Sequence, residues 1–194
     1  MNTPKILICM TAAAGAWLMT APASAQQAAW PTHAITLVVP FAAGGGGDTL
    51  ARLVAEPLSR ELGQSIIVEN RPGAGGNIGT SIAARANPDG YTLSYGTNGT
   101  QATNHWLYKS PGYKPNDFEP ISRFTVIAAA LVVNGADERF KTLAQLVDYA
   151  KTHPGELTCG SAGNGTSSHL ACELLNQMAG LKVMHIPYLS LIHI

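Results

Sequence analysis

Charge is scarce in this chain. Of 194 residues, 12 are Lys or Arg and 12 are Asp or Glu, so the formal net charge is +0. A nucleic-acid binder would carry a basic stripe, and none is present, so no nucleic-acid partner is expected. No polybasic run marks a membrane-surface protein. Several catalytic signatures are missing as well. No G-x-x-x-x-G-K-[ST] occurs, and the G-x-G-x-x-G fingerprint fails because Ile78 stands where a third glycine should follow Gly73 and Gly75. The G-x-S-x-G elbow fails because Cys159 takes the first glycine position around Ser161. No H-E-x-x-H and no cysteine ligand pair supports a metal. Neither a cofactor nor a metal is therefore expected, and a catalytic residue cannot be named from pattern alone.

Cysteine is nearly absent, with three in the chain. Cys9 falls in an N-terminal segment with the layout of an export signal. Lys5 gives a short positive start, residues 6–20 are uncharged and mostly apolar, and Ala23-Ser24-Ala25 is a small-x-small cleavage site. A membrane anchor would need a longer, less alanine-rich stretch. Residues 1–25 are expected to be removed after Ala25, taking Cys9 with them. What remains carries 11 basic against 12 acidic residues, because Lys5 is the leader's only charge. Cys159 and Cys172 would then reside in an oxidising compartment. A disulfide between them is open, but one falls in a predicted strand and the other in the helix after it. Two small buried hydrophobes suit those places slightly better.

What the chain does have is a repeated unit. Residues 35–41 form a β-branched apolar run, suited to a strand buried on both faces. Gly44, Gly45, Gly46 and Gly47 turn the chain, Asp48 is placed to cap a helix, and Leu50, Leu53, Val54, Leu58 and Leu62 follow at helical spacing up to Gly63. Pro57 is expected to kink that helix. Residues 65–69 read as a second strand, 71–76 as a second glycine loop, 78–86 as a helix and 91–95 as a third strand ending in a polar loop with Thr97 and Asn98. Residues 109–120 read as a surface crossing. Residues 127–133 look like a strand entering a second lobe. Thr142 and Gln145 fit a capping box, and residues 157–160, 166–179 and 182–187 repeat the strand, helix, strand order. Hydrophobic residues make up 46% of the chain, ample for one core and marginal for two complete lobes. The order predicts a doubly wound parallel α/β sheet with its loops at the carboxyl ends of the strands, where ligands bind in such sheets.

These loops suit reversible anion capture. Free backbone N–H groups and the helix dipole attract a carboxylate at a helix N-terminus. Gly44 to Gly47 before Asp48, and Gly163 to Gly165 before Thr166, offer one such end in each half. Thr97, Asn98, Thr100, Ser161, Asn164, Thr166 and His169 add neutral donors and acceptors. The glycines at 73–79 serve tight turns as readily as ligand contact. A competing reading is a secreted hydrolase using Ser161 or Ser168 with His169. Ser167 and Ser168, however, sit where serine simply suits a first helical turn.

The stretches Val39-Pro40-Phe41-Ala42-Ala43-Gly44-Gly45-Gly46-Gly47-Asp48, Val68-Glu69-Asn70-Arg71-Pro72-Gly73-Ala74-Gly75-Gly76 and Asn87-Pro88-Asp89-Gly90-Tyr91 resemble the substrate-binding receptors of tripartite tricarboxylate transporters, the Bug family. Gly163-Asn164-Gly165-Thr166-Ser167-Ser168-His169 and His185-Ile186-Pro187-Tyr188 extend the resemblance, which covers about residues 30–188. It implies a periplasmic-binding-protein type II fold: two doubly wound α/β lobes closing on a small carboxylic acid delivered to membrane permease subunits. It also implies a periplasmic location and, for a complete chain, a monomer. Carried over residue by residue, the first-lobe contacts are Phe41, Ala42, Gly44, Gly45 and Asp48, with Thr97 and Asn98. Those of the second lobe are Ser161, Asn164, Gly165, Thr166 and His169. Asp48 would repel an anion, so it is expected to act as a helix cap or water holder. A periplasmic ligand sensor for a signalling kinase would use the same site. On this reading lobe 1 spans 26–124 and a partial lobe 2 spans 125–188. Residues 189–194 depart from the family pattern and are expected to be a truncated, artefactual end without turn or partner strand, leaving the fold incomplete at its C-terminus.

Overall fold

The computed structural model describes residues 30–193, so the expected leader and its cleavage site lie outside it. Parallel strands build the first half: β1 (Ile35–Val39), β2 (Ile66–Asn70) and β3 (Thr92–Ser94), in the order β2-β1-β3. Ile35 pairs with Ile66 and Thr36 with Thr92 at the start of the two ladders. β1 is the centre strand, which is why its run is apolar at every position but Thr36: Ile35, Val38 and Val39 are almost wholly buried. The helix α1 (Gly46–Leu62) connects β1 to β2, and α2 (Asn77–Ala84) connects β2 to β3. Because the two crossovers run in opposite directions along the sheet, the strand order reverses between β1 and β3. In sheets of this kind ligands bind at the loops beyond the carboxyl ends of the strands.

Pro57 does not break α1, which runs unbroken to a left-handed Gly63. The ring removes one N–H and so frees the carbonyl of Leu53, a residue 65% exposed, which water can reach. Leu37, Val39, Ala51 and Tyr95 form the core on this side, with Phe41, Leu50 and Leu93 packed against it.

After β3 the backbone forms a π-helical turn (Gly99–Thr103) that runs directly into α3 (Asn104–Leu107). The crossing at 109–120 is mostly exposed, but Tyr113 plunges inward. Its hydroxyl donates to the Thr100 carbonyl at 2.6 Å and lies 3.0 Å from Asn77 Oδ1, tying the crossing to the π turn and α2.

The strand expected at 127–133 does not form. Those residues carry no ladder and expose Ile127, Leu131 and Val132. Apolar, β-branched composition favours a strand only where a neighbouring edge can pair its backbone groups, and no described strand does so here.

The second half comprises α4 (Leu143–Thr152), β4 (Thr158–Ser161), α5 (Ser167–Ala179) and β5 (Met184–Pro187). β4 and β5 pair in parallel. Thr142 Oγ1 accepts from the Gln145 N–H, and Gln145 Oε1 accepts in return from the Lys141 N–H, one residue before the cap. Phe140, Leu146, Ala150, Leu157 and Leu181 form a separate core.

Cys159 and Cys172 are joined in a disulfide, with their Cα atoms 6.4 Å apart, so the reading as two free buried thiols is corrected. β4 and α5 pack face to face, which brings the two side chains within bonding reach. The last residues also differ from expectation: Leu191–His193 form a short 3₁₀ turn, and Ser190 is buried. No helix among the described residues is long and apolar enough to cross a membrane.

Candidate functional site

A cavity of about 230 Å³ lies where the loops of the two halves meet. Pro40 and Phe41 enter it from the end of β1, Gly73 to Gly76 from the end of β2, and Tyr108 from the end of α3. Ala162, Gly163 and Asn164 line it from the end of β4, and Tyr188 and Leu189 from the end of β5. No lysine, arginine, aspartate or glutamate is among these residues. Its polar surface is mainly backbone, supplied by glycine loops with positive φ at Gly73, Gly75, Gly76 and Gly163. Such backbone is open to close approach because no Cβ shields it.

Of the residues expected to bind ligand, Phe41 and Asn164 line this cavity. The others surround it or support the loops that do. Asp48 is not the N-cap of α1; Gly45 is, and Asp48 is the third helical residue. Its Oδ2 accepts from the Gly44 N–H at 2.8 Å, and Arg52 Nε stands 3.0 Å from Oδ1. Burial alone would push this carboxyl up, but Arg52, the Gly44 N–H and Asn70 together hold it below the usual aspartate value. The carboxylate is thus spent inside the protein, tying back the loop that leads into α1. No side chain caps that helix, so its first N–H groups are left for another acceptor. The Ala42 carbonyl accepts from the Gly45 N–H at 3.3 Å and closes the turn.

Thr97 turns back on itself: its N–H donates to Thr100 Oγ1 at 3.0 Å, and its carbonyl accepts from the Gln101 N–H. Asn98 beside it is exposed and makes no side-chain hydrogen bond within the described residues.

On the second side the buried Ser161 hydroxyl lies 2.6 Å from His185 Nε2 and accepts from the Gly163 N–H at 3.1 Å. Thr166 is the N-cap of α5, and its hydroxyl donates to the Gly163 carbonyl at 2.7 Å. His169 Nδ1 accepts from the Gly165 N–H at 3.2 Å, while its ring lies against that of His185, centroids 4.1 Å apart. Burial and the neighbouring His169 depress the His185 pKa. The Ser161–His169 pairing weighed from sequence is therefore not the one that forms. Ser161 meets His185 instead, and is fully buried. Ser168 accepts from the Ala162 N–H, a structural bond. No group of three or more His, Cys, Asp or Glu that could hold a metal occurs among the described residues.

Tyr108, Tyr188 and the Gly73–Gly76 loop are the lining residues that sequence reasoning undervalued. The glycines left a visible signal in their clustering. Tyr108 left none, because its place at the cavity depends on the π-helical turn before it.

Comparison with known proteins agrees with this architecture. The family model described as tripartite tricarboxylate transporter family receptor matches residues 50–190. A protein encoded in the tcbD-tcbE intergenic region of Pseudomonas sp. (strain P51) is 39% identical over 160 residues, 82% of this chain and 47% of that one. Among solved structures, the periplasmic binding protein BugD is 36% identical with a TM-score of 0.72, covering 84% of this chain and 55% of its own. A Rhodopseudomonas palustris protein, Rpa4515 with adipate, is 37% identical with a TM-score of 0.70, covering 83% and 54%. The chain spans about half the length of the curated relatives it matches. With the paired glycine loops and the β2-β1-β3 sheet, this match shows that the chain belongs to the receptor family of tripartite tricarboxylate transporters, whose members are periplasmic solute-binding proteins.

Proposed function

We propose that this chain is the capture part of an exported receptor that binds a small carboxylate for permease subunits of a tripartite transporter. The observation that carries the reading is the cavity itself. It lies between the loops at the carboxyl ends of β1 and β2 on one side and of β4 and β5 on the other, and its lining carries no charged side chain. An anion held by N–H groups is captured without a countercharge and is released as easily. Phe41, Tyr108 and Tyr188 offer apolar faces to the part of the ligand between or beyond its carboxylates. The related structure with adipate, a dicarboxylate with an aliphatic middle, fits that division.

In this reading residues 26–124 form one lobe and 125–188 part of the other. Phe41 and Asn164 touch the ligand directly. Ala42, Gly44, Gly45, Asp48, Thr97 and Asn98 shape the first-lobe loops, and Ser161, Gly165, Thr166 and His169 the second. Delivery to a permease rests on membership of the family. The leader at residues 1–25 would route the chain to the periplasm.

The test is a calorimetric titration of the purified chain with adipate and with adipamide, its neutral diamide. Saturable binding of the diacid with at least tenfold weaker binding of the diamide supports the proposal. Equal binding of both, or conversion of the diacid to a product, would overturn it.

A further inference from the structure

The two sides of the cleft touch where side chains are missing. A Cβ on Gly99, at the start of the π turn, would stand 2.8 Å from the Gly165 carbonyl across the cleft. The next nearest atom, Thr97 Oγ1 in its own turn, would be 3.5 Å away. A Cβ on Gly75 would overlap the Asn164 carbonyl, and one on Gly165 would overlap Asn104 Oδ1. Glycine is therefore required on both faces of the contact, and backbone meets backbone.

Polar groups complete the contact. The Tyr108 hydroxyl donates to the Asn164 carbonyl at 2.9 Å, across 56 residues of sequence. Asn104, fully buried in α3, donates through Nδ2 to the Gly75 carbonyl at 3.1 Å and to Asn77 Oδ1 at 2.7 Å. Its Oδ1 is buried without a hydrogen-bond donor and faces Gly165. A buried acceptor left unpaired is costly and calls for a reason. Here the reason is the opposing loop, which must come this close for the cleft to adopt the observed shape.

We propose that Gly99, Gly165 and Tyr108 form a closing seam, with Tyr108 as its latch, that sets the spacing of the two glycine loops around the ligand. The inference rests on the reading of the cavity as the carboxylate site. Gly99 and Gly165 are positioning residues, whereas Tyr108 also lines the cavity, so for its variant the label distance is the deciding readout. Gly99 in particular does not line the cavity, so its effect passes only through the spacing. A ligand that bridges both loops binds the closed arrangement best, so whatever biases the chain toward an open one lowers affinity by the closed fraction lost.

Gly99 is the cleanest probe because its φ is not positive, whereas Gly75 and Gly165 would strain any side chain. The full chain carrying Cys9→Ser would be nitroxide-labelled at Glu56→Cys and Lys151→Cys, both exposed, one on each side. The distance between labels is read by pulsed electron resonance without ligand and then with adipate, and affinity is read by calorimetry. Gly99→Ala is expected to lengthen the distance and weaken adipate binding at least tenfold. Tyr108→Phe, which adds no atom, is expected to lengthen it less and weaken binding roughly threefold to tenfold. Gly135→Ala, at an exposed site with nothing within 4 Å, should change neither.

If Gly99→Ala fails to fold, the Tyr108→Phe result decides. The seam is overturned if affinity and distance stay within error of the parent, or if affinity falls while the distance does not move. If the parent binds no adipate but Gly99→Ala still lengthens the distance, the carboxylate reading fails and the seam stands.

Discussion

Reducing the Cys159–Cys172 disulfide should cost this chain a large share of its second-half stability. The bridge joins residues 13 apart and encloses the whole loop from Gly160 to the start of α5, including Ser161, Asn164 and Thr166. Closing a loop of that size restricts the unfolded chain by about 3 kcal/mol in the chain-entropy estimate. For a chain of this length such a change corresponds to roughly 6–12 °C in Tm. Comparing the oxidised and reduced wild type holds side-chain volume constant, which a Cys→Ala pair would not. Urea unfolding followed by circular dichroism, with and without reductant, gives the difference directly. Hydrogen exchange at Gly163 and Asn164 should quicken in the reduced form, because the loop loses its second anchor. A reduced protein within about 1 kcal/mol of the oxidised one would refute the reasoning. It would mean that α5 and β4 are held by their packing alone.

Asp48→Ala removes the acceptor of the Gly44 N–H and the ion partner of the half-exposed Arg52 and should cost about 1–2 kcal/mol by urea unfolding, with Asp48→Asn costing less. Because the Asp48 pKa is depressed in the fold, its contribution is present above the ordinary aspartate value and is lost as pH falls through the folded value. An acid titration of stability should therefore be shallower in Asp48→Asn than in the parent. His185 is also depressed, so the fold favours its neutral form, and stability should fall as pH drops below the ordinary histidine value, about 6.5. His185→Gln should flatten that slope in a pH series of thermal melts. Tyr113→Phe removes the hydroxyl donor from the buried Thr100 carbonyl and should cost about 1–3 kcal/mol in chemical denaturation, while Asn77 Oδ1 keeps its bond from Asn104.

The strands and helices with strong local signals were legible in the sequence. A centre strand buried on both faces is mostly apolar and β-branched, so Ile35 to Val39 could be read as β1 without any partner in view. Helix starts were readable because glycine and Thr142 meet local backbone needs. Residues 127–133 show the limit of that reading. Their composition says strand, but a strand exists only as part of a ladder, and pairing is a property of the neighbour as much as of the segment. Asp48 shows the same limit at the site. Its presence beside a helix start was plain, but the direction of its carboxylate toward Gly44 required the turn geometry.

The sequence by itself determined the order of elements and the positions of the glycine loops, because periodicity, caps and positive φ are local demands. Only the tertiary structure decided which loops face one another. It paired Ser161 with His185, bridged Cys159 to Cys172, and brought Tyr108 to the Asn164 carbonyl. Those partners lie 13 to 56 residues apart, and no local rule relates them. Each contact follows from how the β2-β1-β3 sheet, the π turn and the β4–β5 pair pack, which is where the cavity acquires its shape.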